Sequence, residues 1–332
     1  MSRTDLATET PLSDLLLPRT PNATFFERSH GDVVPQLPEE AYRFEVAGPD
    51  GTRAFSLADL RALPRASETI TLACSGNGRT GFEPVPGGVP WGFGAISTAR
   101  WDGVRLRDVL AACGPIAPEI GHAVFDGFDP APDERRPPYR RSIPLERALA
   151  DGTLVADAMN GEDIPSKNGG PVRVVVGGWT GNHAMKWLRR ITLAREPDAG
   201  HWMVNDYRIP GPDGTLRMIE TAAPIAIVAS PANEARVANA FDVQGIAYGE
   251  PAPRAVRIEI DGRHAGDAPV RYDDGPLAWG RWTARVTVIS GLRRLSVRAA
   301  DADGTPYPPT PWNAGGYCYN GPHAIEVVAG SS

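Results

Sequence analysis

The chain is poor in the residues that build metal cages or covalent staples. Three cysteines in 332 residues, Cys74, Cys113 and Cys318, are too few for a disulfide framework, and their wide spacing excludes a Cys-x-x-Cys zinc or redox site. The six histidines form no His-x-x-x-His pair. No apolar run approaches the length of a membrane span, so no membrane partner is expected. The opening stretch "MSRTDLATETPLSDLLLPRT" has neither a secretory apolar core nor a twin-arginine signal. The expected location is therefore the cytoplasm, or the periplasm if a signal was removed. Long basic blocks are missing too. Net charge is −6, which speaks against a nucleic-acid partner. The short pairs Arg135–Arg136, Arg140–Arg141 and Arg189–Arg190 still suit the lining of a pocket for a small anion.

Turn formers are abundant, with 36 glycines and 33 prolines. They predict many short elements and more strand than helix. At 42% hydrophobic and 22% charged, the chain is globular and long enough for two cores. Residues 1–22 read as an N-terminal arm. A mixed α/β domain is expected over 23–215. There "YRFEVAG", "ITLAC", "PVRVVVGG" and part of "MKWLRRITLAREP" have strand patterns. "SLADLRAL" predicts a helix capped by Ser56, "RLRDVLAACG" one stopped by Gly114, and "PLERALADG" one closed by Gly152. From 216 to 332 the texture changes: "APIAIVASP", "AFDVQGIAYG", "AVRIEIDGR", "RWTARVTVIS", "RRLSVRAADADG" and "HAIEVVAG" alternate with turn signals, the pattern of an all-β immunoglobulin-like sandwich. The fold class is α+β.

One stretch carries chemistry. "TLACSGNGRT", 71–80, sets Cys74 at the end of an apolar run. The glycines after it let backbone approach a ligand closely, and successive N–H groups in such a turn form an anion nest. Arg79 supplies a fixed positive charge that favours the thiolate. One cysteine does not satisfy a tetrahedral zinc site. Either Cys74 is a nucleophile, with His30 as its base, or it is the single protein ligand to a metal carried by an organic cofactor.

"LACSGNGRTGF" followed by "GGVPWGFGAISTARWDGVRLRDVL" resembles the core signature of the sulfite oxidase family of molybdenum enzymes. "FFERSH", "GGPVRVVVGGWTGNHAMKWLRRI", "HWMVNDYRIPG" and the tail "TPYPPTPWNAGGYCYNGPHAIEVVAG" resemble further family segments, so the likeness covers roughly residues 23–330. It implies a molybdenum–molybdopterin cofactor with Cys74 as the metal ligand, a soft thiolate beside dithiolene sulfur. It implies Arg28, His30, Asn168, Arg173 and Lys186 as cofactor contacts. Arg28, Arg79, Trp91 and Tyr207 are implied at the catalytic pocket. It further implies oxygen-atom transfer, sulfite to sulfate first, with nitrate, a sulfoxide or an organosulfur compound as alternative substrates. A separate electron acceptor, a cytochrome or another carrier, and a homodimer built on the β domain complete what it implies.

Two positions depart from the family pattern. Asn168 stands where a histidine is usual, and Gly315 follows "WNA" where an arginine is usual in sulfite oxidases. Other readings remain for the remaining residues: Arg28 and Arg79 as surface ion pairs, Lys186 snorkelling over Trp187, His183 and His201 as structural or loop residues, Cys113 and Cys318 as packing residues. A non-catalytic scaffold is the third functional reading.

Overall fold

The computed structural model describes residues 6–49, 51–211 and 213–330. The first five residues of the expected arm and the last two of the sandwich segment lie outside them. The chain divides into two compact units that are not contiguous in sequence. The first gathers the chain up to Thr8, Glu27–Leu72 and Ala99–Glu220; the second gathers Glu9–Phe26, Ala73–Thr98 and everything from Thr221 onward.

In the first unit a five-stranded sheet runs in the order Gly51–Ser56, Arg43–Gly48, Leu188–Ala194, His122–Gly127, Arg140–Pro144. Only the pairing of Arg43–Gly48 with Leu188–Ala194 is parallel. A second sheet joins Glu162–Asp163, Thr153–Met159, Ile96–Arg105 and Arg65–Ala73, with Arg173–Val176 also paired to Thr153–Met159. The Val174–Val176 run is buried throughout, which is why it reads as an unbroken β-branched block rather than an alternating strand. The stacked Phe44 and Phe55 rings, 5.2 Å apart, sit in a core with Leu106, Phe125, Val155 and Val174.

The helices are single short pieces. Leu57–Arg61 begins at Ser56, whose side chain accepts the Asp59 N–H while the Asp59 carboxylate accepts the Ser56 N–H, a full capping box. Leu106–Ala111 is followed by Gly114 at φ +114°. The third helix, Leu145–Leu149, stops earlier than its expected glycine: Ala150 is already extended, so Gly152 does not close it.

The second unit holds two sheets. One orders Ile225–Ser230, Ala240–Tyr248, Gly280–Thr287; the other orders Ala235–Ala238, His323–Gly330, Gly291–Ala300, Ala255–Ile260, Arg263–Pro269. All six expected strands are present. Alternate residues of both sheets, among them Val243, Trp282, Ile258, Leu295 and Val327, share one core, as face-to-face packing requires. Two strands have no apolar alternation to announce them. Ala235–Ala238 and Arg263–Pro269 are mostly exposed edge strands, recruited by their backbone pairing.

Leu295 is completely buried, opposite Ile260 and Ile325 on the neighbouring strands. Leu295→Ala should lower the unfolding free energy measured in urea by about 2–5 kcal/mol, the transfer and cavity cost of a core leucine.

Candidate active site

In the second unit, Cys74 directly follows the strand that ends at Ala73. Its N–H bonds the Ala95 carbonyl at 2.9 Å, and Asn77 Oδ1 accepts the Ala95 N–H at 3.0 Å. These bonds fold the Cys-Ser-Gly-Asn turn back on the segment carrying Trp91. Gly78 sits at φ +80°, and a Cβ there would lie 2.7 Å from the Tyr319 ring, so both the backbone angle and the space require glycine. Cys74 is half-buried, and its sulfur accepts the Gly76 N–H at 3.4 Å. A hydrogen bond to sulfur favours the thiolate. A small cleft of about 10 Å³, room for about one water, opens at Cys74, Ser75 and Asn77, with Ala73, Ile96, Ala222 and Ile225 among its aliphatic walls and Cys318 and Tyr319 beside them.

Arg79 is 6% exposed, which rules out a surface ion pair. Its guanidinium donates to the carbonyls of Val89 at 2.7 Å, Gly315 at 2.9 Å and Gly316 at 3.3 Å, and lies 5.5 Å from the Tyr317 ring centre. Among the described residues no carboxylate pairs with it. Trp91 is buried against the same turn, 3.1 Å from where a Cβ on Gly76 would stand. Cys318 is buried, as a packing residue would be, whereas Cys113 is exposed, its thiol donating to the Val109 carbonyl at 3.5 Å.

The remaining site residues belong to the first unit, where they form one continuous group. Arg28 lies on the strand Glu27–Ser29, opposite Ala7, and its Nη2 is 3.2 Å from His30 Nδ1. His30 Nε2 is 2.6 Å from the Tyr207 hydroxyl. Tyr207 is held at φ +58°, an uncommon state for a bulky residue, with its carbonyl bonded to the Ile219 N–H at 2.9 Å. Burial, then the charges of Arg28, Arg136, His201 and Arg141, keep His30 well below the ordinary histidine range, so its ring is neutral at pH 7.

Lys186 bonds Ser29 Oγ at 2.9 Å and the Lys167 carbonyl at 2.7 Å. Its ammonium also lies 5.0 Å from the Trp187 ring. The residue as a whole is half-buried, but its charged end is enclosed. Burial first, and Arg173 second, push it down to about 7. Arg173, 4% exposed, bonds the Asn168 carbonyl at 2.5 Å, and burial pushes it down to about 9. Asn168 is 1% exposed. Among the described residues its Oδ1, Arg173 Nε and Glu27 Oε1 have no hydrogen-bond partner. Enclosed cations crowding one another, with buried polar atoms left over, are what a polyanionic group such as a pterin phosphate would compensate. This donor set by itself fits the phosphate of a pterin, and the Cys74 turn by itself offers a sulfur ligand of the kind a soft metal takes. Among the described residues no three His, Cys, Asp and Glu side chains cluster to hold a metal, and no helix is long and apolar enough to cross a membrane.

Tyr139, Arg141 and Trp202, which no motif singled out, surround His30 and Tyr207. The only advance signal was the Arg140–Arg141 pair, and Arg141 proves wholly buried. His183 is structural: its Nε2–H bonds the Ile219 carbonyl at 2.8 Å. Burial pushes it down to about 3. His201 lies 3.4 Å from Asp206 at the short helix His201–Val204.

Fold and donor set together define a molybdopterin-binding oxidoreductase. Residues 30–202 match the model of the oxidoreductase molybdopterin binding domain. The sulfite oxidase of Gallus gallus is 37% identical over 320 residues, covering 88% of this chain and 69% of that protein. The mitochondrial sulfite oxidase of Homo sapiens is 33% identical over 336 residues, covering 93% of this chain and 61% of that protein. The chain thus spans about three-fifths of the length of its mitochondrial relatives. The sulfane dehydrogenase SoxCD from Paracoccus pantotrophus shares the fold, with a TM-score of 0.82 at 24% identity over 96% of this chain and 83% of that one. The chain belongs to the sulfite oxidase family of molybdopterin-dependent oxidoreductases, and its cofactor is the molybdenum–molybdopterin group.

Lys186 titrates near 7 when folded and near 10.5 as an ordinary lysine. Between those values the unfolded chain binds the extra proton, so this group adds stability as pH rises from 7 towards 10 and withholds it below 7. In urea titrations of cofactor-free protein, the gain in unfolding free energy between pH 7 and pH 9 should be smaller in Lys186→Met than in the parent. An equal gain in both would show that the lysine is not held in its neutral form.

Proposed function

We propose that this chain oxidises sulfite to sulfate, adding one oxygen atom derived from water and releasing two protons and two electrons. The electrons pass to a separate acceptor. The molybdenum–pterin group, when bound, supplies the two-electron redox chemistry and the oxygen transfer. The chain supplies charge and orientation. Cys74 is the protein's ligand to the metal; His30, Asn168, Arg173 and Lys186 hold the pterin and its phosphate. Arg79 and Arg28 hold the oxyanion, Tyr207 hydrogen-bonds it, and Trp91 shapes the wall. The observation that carries this reading is Arg79. A guanidinium buried among carbonyls, with no acid to neutralise it, keeps its charge for an incoming anion, and such a charge acts strongly in a water-poor site.

One observation favours a second substrate reading. Gly315 places no cation after Asn313–Ala314, and a Cβ there would stand 2.4 Å from the Tyr317 ring. A site with one cation fewer suits nitrate, a sulfoxide or an organosulfur compound as well as sulfite. The experiment is molybdenum analysis joined to dye-coupled turnover of sulfite, nitrate and methionine sulfoxide. Cys74→Ser should lose bound molybdenum and turnover together, and the parent's Cys74 should resist iodoacetamide until the metal is stripped. Full turnover in Cys74→Ser would end the assignment, and ready alkylation of the loaded protein would favour a nucleophilic thiol.

The second unit's immunoglobulin-like sandwich pairs two copies of the chain about a two-fold axis in this reading. Exposed apolar side chains support it: Ile289 is 77% and Leu292 58% exposed, and Leu292 lies opposite the part-exposed Val328. Light scattering should give twice the chain mass for the parent and the chain mass for Leu292→Asp; a monomeric parent would refute the pairing.

A further inference from the structure

Within the second unit, the Cys74 turn leans on segment 91–95. The Cys74 N–H and Asn77 Oδ1 both bond Ala95. The Gly78 N–H bonds the Gly92 carbonyl at 2.6 Å, and the Thr80 N–H bonds the Trp91 carbonyl at 3.0 Å. By itself this segment is a poor support. It belongs to no helix or strand and contains Gly92 and Gly94, and glycine loses the most conformational freedom on being fixed. Its order comes from the chain that precedes the turn. Glu9 Oε1 accepts the Gly92 N–H at 2.6 Å, and Glu9 Oε2 accepts the Gly94 N–H at 2.8 Å. The Thr10 N–H bonds the Gly94 carbonyl at 2.8 Å. Thr10 is itself buried; its hydroxyl donates to the Thr24 carbonyl at 3.0 Å and lies 2.6 Å from Ser97 Oγ. The space is matched to this contact. A Cβ on Gly94 would stand 2.3 Å from the Thr10 carbonyl oxygen and 2.8 Å from Glu9 Oε2, and a Cβ on Gly92 would stand 3.1 Å from the same Oε2. Both residues must be glycine for the carboxylate to come so close.

We propose that Glu9 is a positioning residue for the metal ligand: its carboxylate, bridging the Gly92 and Gly94 N–H groups, fixes the segment that sets the place of Cys74 and Trp91. A carboxylate accepts on both oxygens, and its charge strengthens each bond to a backbone N–H. A glutamine of the same shape accepts on one oxygen only. Its amide nitrogen would face the second backbone N–H, donor against donor. Gly94 is buried, so an N–H left unpaired there is costly. Segment 91–95 relieves that cost by shifting, and Cys74 shifts with it through the Ala95 carbonyl that its N–H bonds at 2.9 Å. Trp91 lies in the shifting segment itself. Glu9 thus acts on the site through the backbone, without touching metal or substrate.

Cys74 as metal ligand rests on the function proposed above; the bonds from Glu9 to the two glycines do not. Hydrogen–deuterium exchange of the holoenzyme, resolved to single amides, reads those bonds. Gly92 and Gly94 should be protected in the parent; exchange as fast as in a free peptide overturns the proposal, whatever the variants do. In Glu9→Gln both amides should exchange at least about tenfold faster, the loss of a hydrogen bond to a charged group; an unchanged rate overturns it. Paramagnetic resonance of Mo(V), in holoenzyme reduced chemically without substrate, reads the positioning, because spin density on a ligating sulfur follows its orientation. The g values should shift in Glu9→Gln and stay at the parent's in Leu295→Ala, which loses stability in the sandwich core alone. No shift in Glu9→Gln, or an equal shift in both, overturns the positioning role. Should Glu9→Gln fail to fold, Glu9→Asp, whose shorter carboxylate cannot keep both bonds, takes its place with the same expectations. Cys74→Ser separates the two readings: if it keeps its molybdenum, the function proposed above fails; if it loses the metal and Glu9→Gln shows no shift, the positioning role alone fails.

Discussion

The first unit depends on keeping Arg173 and Lys186 enclosed with too little acid to pair them. Arg173 and Arg28 lie within electrostatic reach of Lys186, with Glu27 and Asp129 as the opposing carboxylates. Burial and the charge of Arg173 leave Lys186 near 7, and burial leaves Arg173 near 9; Asp129, itself raised to about 6 by burial, is a weak counterweight. Removing charge from water without a partner is costly. The arrangement becomes favourable once an anion supplies the missing charge, and binding then repays what folding left unsatisfied. The same constraint explains why backbone carbonyls, such as those of Lys167 and Asn168, do much of the solvation: they orient a cation without cancelling it.

The second unit meets the same requirement in a turn rather than a cluster. Arg79 donates its hydrogen bonds to the carbonyls of Val89, Gly315 and Gly316. Gly316, at φ +59°, would place a Cβ 2.6 Å from Arg79 Nε. The glycines of this unit therefore do steric work, letting backbone come close enough to hold a charge. The turn also aims the Gly76 N–H at Cys74 sulfur. The Cys74 sulfur and the Arg79 guanidinium thus each meet main-chain groups, an N–H for the one and carbonyls for the other.

Much of this was legible in the sequence where one local segment carried the whole signal. The turn after Cys74 declared itself because strand end, glycines and arginine fall within six positions. Strands of the sandwich such as Gly291–Ala300 and His323–Gly330 did so because alternate residues bury one face, and Ile225–Ser230, buried on both faces, did so as an unbroken apolar run. Edge strands such as Arg263–Pro269 lacked that face. Tyr139, Arg141 and Trp202 were illegible for a different reason. Their importance lies in touching His30 and Tyr207, more than sixty positions away in at least one direction, and an arginine destined for complete burial looks in sequence like any surface arginine. Likewise, the grouping of Glu9–Phe26 with Ala73–Thr98 rests on bonds such as Thr10 Oγ1 to Ser97 Oγ at 2.6 Å and Thr20 N–H to the Thr98 carbonyl at 2.8 Å, which no local pattern encodes.

Charge economy also makes sense of the two departures from the family pattern. A histidine at position 168 would stand beside Arg173, whose guanidinium burial already pushes down. A second proton there would raise the repulsion that an anion must offset, whereas the neutral amide of Asn168 adds polar capacity without charge. His30 follows the same logic by staying neutral between Arg28 and Tyr207, where it adds no further positive charge. At Gly315 the chain gives its carbonyl to Arg79 where the family pattern would place a second guanidinium. In each case a neutral group occupies the position and orients or tolerates a cation next to it.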